Sequence, residues 1–474
     1  SVLGASITEI MRRYRILSVE DSVTGDSELL VRRNNKWERT TIGCLVDSLI
    51  EKYGYWYNLT EHEILGNPDD VEVLAMDKTG KVKVTRVTKF IRHKVNKPLF
   101  RIRTRTGREI TVTGDHSLFD LNNEGKISEV KASELATGSY IATPRILNID
   151  GVEVERINLL DYLDKFERAY LYGGNIKLFM RRHYHEIIQL CKDHGYSNRS
   201  VWGGWFRKGI IPVKILSDLR ALGSNLNLIE GAFIKVGHNS KGLPIKLEIS
   251  DDLLTFIGLW LGDGCYDKKS VIVSSTTSEE REITYNLARN LGLIVKEHSD
   301  GWSIMINSCT FRSILREVFG LKGNAYTKRV PGWIFALSNR QIKYVLTGLF
   351  SADGCIAKGE IMLTLSSLKM LKDVQTLLLR FGIIHRIRKF KKRDKTYNSS
   401  ISSNKSIRQF LKIGVLQKYK QDKLLRLANK VSTHDVTDII PLDMGTKRIL
   451  PKLITNFNRN DYVARRNNIG RQKL

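Results

Sequence analysis

This chain of 474 residues is marked first by what it lacks. No apolar stretch reaches the roughly 20 residues that a membrane-spanning helix needs, and no charged-then-apolar segment opens the chain as a secretory signal would. The sequence therefore predicts no membrane partner. Its five cysteines (Cys44, Cys191, Cys265, Cys309, Cys355) are odd in number, scattered, and never spaced as Cys-x-x-Cys. That spacing excludes a zinc-ribbon pattern and argues for a reducing compartment. Acidic residues are also short: 77 Lys+Arg face 50 Asp+Glu, a net charge of +27. Such an excess is the electrostatic footprint of nucleic-acid binding. The length exceeds one domain and points to about three. The first residue is Ser rather than Met, so we expect the chain to be part of a longer reading frame.

What is present is a repeat. Phe256-Ile-Gly-Leu-Trp-Leu-Gly-Asp263-Gly264 and Leu346-Thr-Gly-Leu-Phe-Ser-Ala-Asp353-Gly354 are both apolar runs with a central glycine, and both close in Asp-Gly. The same offset of 90 aligns Val271–Val273 with Ile361–Leu363, and Leu291-Gly292 with Phe381-Gly382. One folded unit is written twice. Gly258 and Gly348 lack side chains, so two such helices can pack closely along their glycine faces. Pairing brings the two Asp-Gly ends together, and adjacent carboxylates repel unless a divalent cation or shared proton relieves them. Carboxylates and water suit Mg²⁺, which assists phosphodiester hydrolysis. The bland alternative is a pair of core helices ending in ordinary Asp-Gly turns. Cys265 and Cys355 follow each Asp-Gly and read as small packed residues rather than metal ligands.

The repeat resembles the LAGLIDADG (DOD-type) homing endonucleases in their single-chain form. That resemblance implies two pseudo-symmetric αββαββα halves in a monomer, with saddle-shaped sheets lying in the major groove of double-stranded DNA at a long target site. It implies that Asp263 and Asp353 bind Mg²⁺ and are catalytic. It extends to Lys328-Arg-Val-Pro331, a match to the family's Lys-x-x-Pro stretch, and makes Lys328 a candidate for positioning water or stabilising charge. Residues 381–430 hold 15 Lys/Arg against only Asp394 and Asp422. Within that run, Arg386, Arg388, Lys389, Lys391 and Lys392 are the expected phosphate contacts, on a strand and loop that the resemblance turns toward DNA.

The N-terminal third differs. Stretches at 71–76, 81–87, 99–104 and 109–113 alternate apolar and polar residues, broken by Asp77-Lys-Thr-Gly80 and Thr106-Gly107, which are hairpin signals. A short helix is expected near Ile42 to Tyr53. Ser22-Val-Thr24-Gly25-Asp26 and Thr113-Gly-Asp115-His116, with the later Gly138-Ser-Tyr-Ile-Ala-Thr-Pro, resemble the N-terminal splicing region of an intein, of the Hint fold. By that resemblance Ser22 attacks the Asp21–Ser22 carbonyl, His116 protonates the leaving nitrogen, and Thr113 holds the amide. Inteins end in His-Asn before Cys, Ser or Thr. This sequence closes Asn467-Asn-Ile-Gly-Arg-Gln-Lys-Leu474, so the C-terminal splicing motifs are expected to be absent, with a C-terminal intein fragment as the expected complement.

Between these units, residues 176–191 have helical spacing. Ser197–Gly209 and the Pro-led stretch 211–223 follow, an order that resembles a lambda-repressor-type helix-turn-helix. Asn198, Arg199, Ser200, Arg207 and Lys208 would face DNA, while Val201, Trp205, Ile215 and Leu219 pack. The alternative is a plain helical spacer.

The expected fold is thus an α+β mosaic: an N-extein tail at 1–21, an all-β partial Hint domain at 22–147, a helical helix-turn-helix region at 155–225, the two-repeat endonuclease at 245–425, and a linker at 426–474. The expected function is site-specific double-strand DNA cleavage with Mg²⁺, joined to partial protein-splicing activity, in the cytoplasm and on the nucleoid when bound to DNA. Two rivals stand beside it: an intein whose nuclease is inactive, and a DNA- or RNA-binding, maturase-like protein.

Overall fold

The computed structural model describes residues 22–430 except 56, 60–61, 122–125, 198, 238–239 and 392–394, together with 439–442, 447 and 468–470. The expected tail at 1–21, Asn198, Lys392 and most of 431–474 lie outside the described residues.

Among the described residues the N-terminal unit is antiparallel β with one α-helix. Strands Lys36–Thr41, Glu28–Arg33, Glu72–Met76 and Val82–Arg86 form one sheet in that order, and Tyr57–Leu59, His62–Leu65 and Phe90–His93 form another. Hairpins Leu99–Arg103/Glu109–Thr113 and Ser117–Leu121/Ile127–Lys131 complete it. The Asp77–Gly80 turn is built by side-chain chemistry: Asp77 Oδ1 accepts from Thr79 N (2.9 Å) and Lys81 N (3.0 Å), while Gly80 takes φ of +78°. Helix Ile42–Tyr53 starts where Thr41 Oγ1 accepts from Cys44 N, and stops at Gly54. Its Leu45, Val46, Leu49 and Ile50 share one face and bury against Val31, Leu65, Val71 and Phe90.

The middle region is not purely helical. Helices Ile176–Arg182, Tyr184–Asp193 and Val213–Ala221 and the π-helical segment Arg199–Phe206 surround a four-stranded antiparallel sheet, ordered Ile210–Pro212, Ala169–Gly173, Ala232–Val236 and Leu243–Pro244. The expectation of a helical 155–225 is corrected here. Ala169-Tyr-Leu-Tyr-Gly173 alternates buried and half-buried residues with the period of a strand, too short a run to stand out beside the helices that follow. Val201, Ile215 and Leu219 are buried, and Trp205 packs on the same core.

The C-terminal unit repeats one element order twice. Helix Asp251–Asp263, strands Gly264–Tyr266 and Ser270–Ser274, helix Ser278–Asn290, strands Val295–Glu297 and Ser303–Asn307, and helix Cys309–Ser313 form the first half. Helix Asn339–Ala352, strands Gly354–Ala357 and Glu360–Leu365, helix Leu368–Leu379, strands Arg386–Lys391 and Thr396–Ile401, and helix Asn404–Phe410 form the second, followed by helix Lys418–Ala428. In both sheets the second strand is flanked by the first and the fourth, and the third lies at the edge. Gly292 and Gly382, paired by the offset of 90, end the equivalent helices with φ of +61° and +68°.

One hydrophobic core runs from Leu159 to Ala428, so the middle region and both halves are fused. The N-terminal unit joins them through Trp37, Leu147 and Ile149 packed with Leu379. At that junction the fully buried Asp373 accepts from Arg39 of one unit and from Arg329 Nη2 (2.7 Å) and Val330 N (3.1 Å) of the other. Arg329 also pairs with Glu28 at 2.7 Å. Among the described residues no helix is long and apolar enough to cross a membrane.

Candidate functional site

Helices Asp251–Asp263 and Asn339–Ala352 pack directly on each other. A Cβ on Gly258 would lie 2.9 Å from Gly348 Cα and deep inside contact with the Val345 carbonyl oxygen, and a Cβ on Gly348 would meet Thr255 O and Gly258 Cα in the same way. Ser250 and Ser338 cap the two N-termini through their side chains. The C-termini converge: a Cβ on Gly262 would sit 3.0 Å from Asp353 Oδ2.

Asp263 and Asp353 therefore lie together at one end of the helix pair. Asp263 is exposed and Asp353 half-buried, yet neighbouring protein desolvates both carboxyls. Burial pushes the Asp263 carboxyl above its ordinary range, against the pull of Lys328 and Lys420. Burial, and then the neighbouring Asp263, push Asp353 up to about 7. Two carboxylates held this way are hard to ionise together, and a cation between them would remove the conflict.

Lys328 is nearly fully buried, at 4% exposure. Its Nζ donates to Trp260 O (2.8 Å), Gly262 O (3.2 Å) and Gly264 O (2.7 Å), and lies 4.5 Å from the Trp260 ring centre. An ammonium has three hydrogens, and these three carbonyls take them. Lys328 thus ties off the C-terminus of the first helix, where the helix dipole is negative, and fixes the turn that carries Asp263. Burial lowers it to about 8, opposed by Asp353 and Asp263. Its neighbour Arg329 is spent on the junction carboxylate.

The second half has its own lysine, which sequence reasoning missed. Lys420 Nζ donates to Ser351 O at 2.6 Å, on the last turn of the second helix. Burial depresses it, while Glu280 and, more weakly, the two aspartates raise it. Gln417 braces the same turn through Ser351 O (3.0 Å) and reaches the buried Glu280 at 2.5 Å. The offset of 90 from Lys328 lands on Lys418, which is exposed. A scan of the lysines within two residues of that offset would have found Lys420.

Cys265 and Cys355 are exposed, which corrects the expectation that they pack. Each is flanked by buried Gly264 or Gly354, and strand alternation turns the cysteine outward.

Arg386, Arg388, Lys389 and Lys391 fall on the edge strand of the second sheet. Arg388 is exposed and bonds Glu360 and Ser400 Oγ. Ile387 N donates to Thr106 O at 2.9 Å, so the hairpin turn of the N-terminal unit rests on this strand. In the middle region Arg207 and Lys208 are exposed, and Arg199 lies on the π-helical segment.

A second site lies in the N-terminal unit. The Ser22 segment adds antiparallel to strand Glu109–Thr113, through Thr113 N to Ser22 O (3.0 Å) and the Val23–Val112 bridge. Ser22 N, the amide nitrogen of the Asp21–Ser22 bond, donates to Thr113 Oγ1 at 3.1 Å. His116 follows on the turn after that strand, its N donating to Thr113 O at 3.2 Å. Ser22 Oγ lies 2.6 Å from His93 Nε2, a residue that sequence reasoning did not single out.

The chain matches a family model described as the intein splicing domain over residues 56–463, and it belongs to that family. It is 26% identical over 465 residues to the DNA-directed RNA polymerase subunit Rpo1C of Methanocaldococcus jannaschii, covering 94% of this chain and 46% of that protein. It is 29% identical over 385 residues to the glutamine–fructose-6-phosphate aminotransferase of the same organism, covering 77% of this chain and 34% of that one. The chain thus spans less than half the length of these relatives. Among solved structures, the transcription factor IIB Mvu mini-intein matches at 24% identity and a TM-score of 0.25, over 27% of this chain and 70% of that one. The homing endonuclease I-DmoI, solved with DNA and Mn, matches at 14% identity and a TM-score of 0.27, over 34% of this chain and 95% of that one.

Proposed function

We propose that this chain is an intein that carries a LAGLIDADG-type homing endonuclease, which makes site-specific double-strand cuts in DNA with Mg²⁺. One observation carries the nuclease reading. Asp263 and Asp353 close the glycine-packed helices side by side, each beside a lysine bound to the turn that ends its own helix.

The donor set fits Mg²⁺. Carboxylate oxygens are what this hard cation takes, with water and phosphate completing its shell. Among the described residues no group of three or more His, Cys, Asp or Glu gathers there, so the protein offers few ligands and leaves room for substrate. Asp263 and Asp353 would hold the cation. When bound, it would supply charge to a phosphoryl oxygen and acidify a water. Lys328 holds the Asp263 turn rigid. Lys420, more open, places a cation beside the second aspartate, where charge builds on the phosphate. Arg386, Arg388, Lys389, Lys391 and Lys392 would contact phosphates, and Arg199, Arg207 and Lys208 of the middle region, as a helix-turn-helix, would add further contacts.

The splicing half rests on family membership and on the held Asp21–Ser22 amide. In it, Ser22 is the nucleophile, Thr113 the amide's hydrogen-bond partner and His116 the acid. The relatives support insertion into unrelated hosts: an RNA polymerase subunit and an aminotransferase share no activity, yet each matches this chain over only part of its length. Incubation with a randomised duplex library, Mg²⁺ and sequencing of the cut ends tests the nuclease. Recovery of one long cut site supports it. Binding without any cut, with Mg²⁺ present, would favour the maturase-like alternative.

A further inference from the structure

We propose that His93 is the base that takes the proton from Ser22 Oγ when the serine attacks the Asp21 carbonyl. The proposal rests on the splicing reading above and adds to it the group that activates the nucleophile.

The geometry assigns the proton. His93 Nδ1 lies 3.2 Å from Lys94 O, and a carbonyl oxygen can only accept. Nδ1 therefore carries the ring hydrogen, and in the neutral imidazole Nε2 is bare. The 2.6 Å contact at Nε2 is then Ser22 Oγ–H donating to the ring. A serine hydroxyl is a weak nucleophile until a neighbouring base receives its proton, and a base oriented by a third group is the usual solution. Here the orienting group is the Lys94 carbonyl.

The serine is pinned from the other side. Its nitrogen donates to Thr113 Oγ1 at 3.1 Å and its oxygen accepts from Thr113 N at 3.0 Å, so its backbone cannot swing away from the ring. The ring is held in turn: His93 pairs across the sheet with His62, and the two rings stack at 4.6 Å. His93 closes strand Phe90–His93, whose Phe90 is buried in the core of this unit.

The step balances without another reagent. The Oγ–H bond breaks and its proton passes to His93 Nε2. Oγ bonds to the Asp21 carbonyl carbon, the bond from that carbon to Ser22 N breaks, and the nitrogen gains a proton from His116. The product is an ester on Ser22 with a free α-amine. His93 ends protonated and His116 deprotonated, and water resets both.

The test uses the chain with residues 1–21 attached, alone and with a C-terminal intein fragment added, and follows hydroxylamine-driven release of residues 1–21. We expect His93→Gln, which keeps a polar contact but is no base, to slow release by about 100- to 10,000-fold. A thiol ionises near pH 8.5 without help, so Ser22→Cys should restore release in the His93→Gln background to within about tenfold of Ser22→Cys alone. Such rescue also shows that the fold survives. Release from His93→Gln at the parent rate would overturn the role of His93, as would a double variant as slow as His93→Gln. No release from either the parent or Ser22→Cys would overturn the splicing reading, and the His93 role with it.

Discussion

Gly258 and Gly348 face each other across the paired helices with no room for a side chain: a Cβ on either would come within 3.0 Å of the other's Cα. The obstacle is backbone, which cannot rotate out of the way as a flexible side chain could. The separation of the two Asp-Gly ends is therefore set by two hydrogen atoms in the middle of the helices.

It follows that Gly348→Ala should force the helices apart. We expect a loss of about 1–3 kcal/mol in urea denaturation, the usual range for overpacking. DNA cleavage should fall further than DNA affinity, because chemistry at the paired carboxylates is lost on a displacement of about 1 Å while phosphate contacts tolerate it better. An unchanged denaturation midpoint would show that the helices tolerate wider spacing.

The raised pKa of Asp353 has a stability consequence with a definite sign. Its folded value of about 7 lies above the ordinary ~3.9. As pH rises from about 4 to about 7 the unfolded chain loses this proton first, so stability present at low pH is lost by neutrality. An asparagine cannot ionise. Without divalent cation, Asp353→Asn should melt higher than the parent at pH 8, and the difference should vanish near pH 4. A difference that stays equal at both pH values would assign the effect to packing instead.

At the junction, Asp373 pairs with Arg39 and Arg329 from the two sides and also accepts from Val330 N. Asp373→Ala strands two guanidinium groups, one of them also paired with Glu28. Removing one partner of a buried ion pair costs about 3–5 kcal/mol. Chemical denaturation should reveal that loss. A change below 1 kcal/mol would mean that water already solvates these arginines.

Affinity for duplex DNA should depend steeply on salt, by about 0.9 in log K per log salt for each phosphate neutralised. Neutralising Arg388, Lys389, Lys391 and Lys392 together should flatten the slope. An identical slope would turn this edge strand away from the nucleic acid.

Much of the site was legible because it is written twice. The offset of 90 found both aspartates, both glycines and the matching helix ends, since a repeated unit must repeat its turn chemistry. The sequence also pointed to Lys328, but not to the three backbone carbonyls that come together around it only in the folded turn. Lys420 hid two residues off the repeat register. His93 sits in a four-residue strand with no motif, and only the sheet brings it to Ser22. The sheet under the middle helices was missed because its strands are short and far apart in sequence. That sheet changes how the region can be probed. Deleting 155–225 would strip buried Leu171, Ile215 and Leu219 from the shared core, so substitution of exposed Arg207 and Lys208 is the cleaner probe of DNA contact.

The most direct measurement of the central claim is double-strand cleavage of a duplex carrying the selected site, with Mg²⁺, by the parent and by Asp263→Asn and Asp353→Asn singly. We predict that both variants bind the duplex with parental affinity or better and make no double-strand cut. Undiminished cutting by both would remove the paired aspartates from the chemistry and contradict the account.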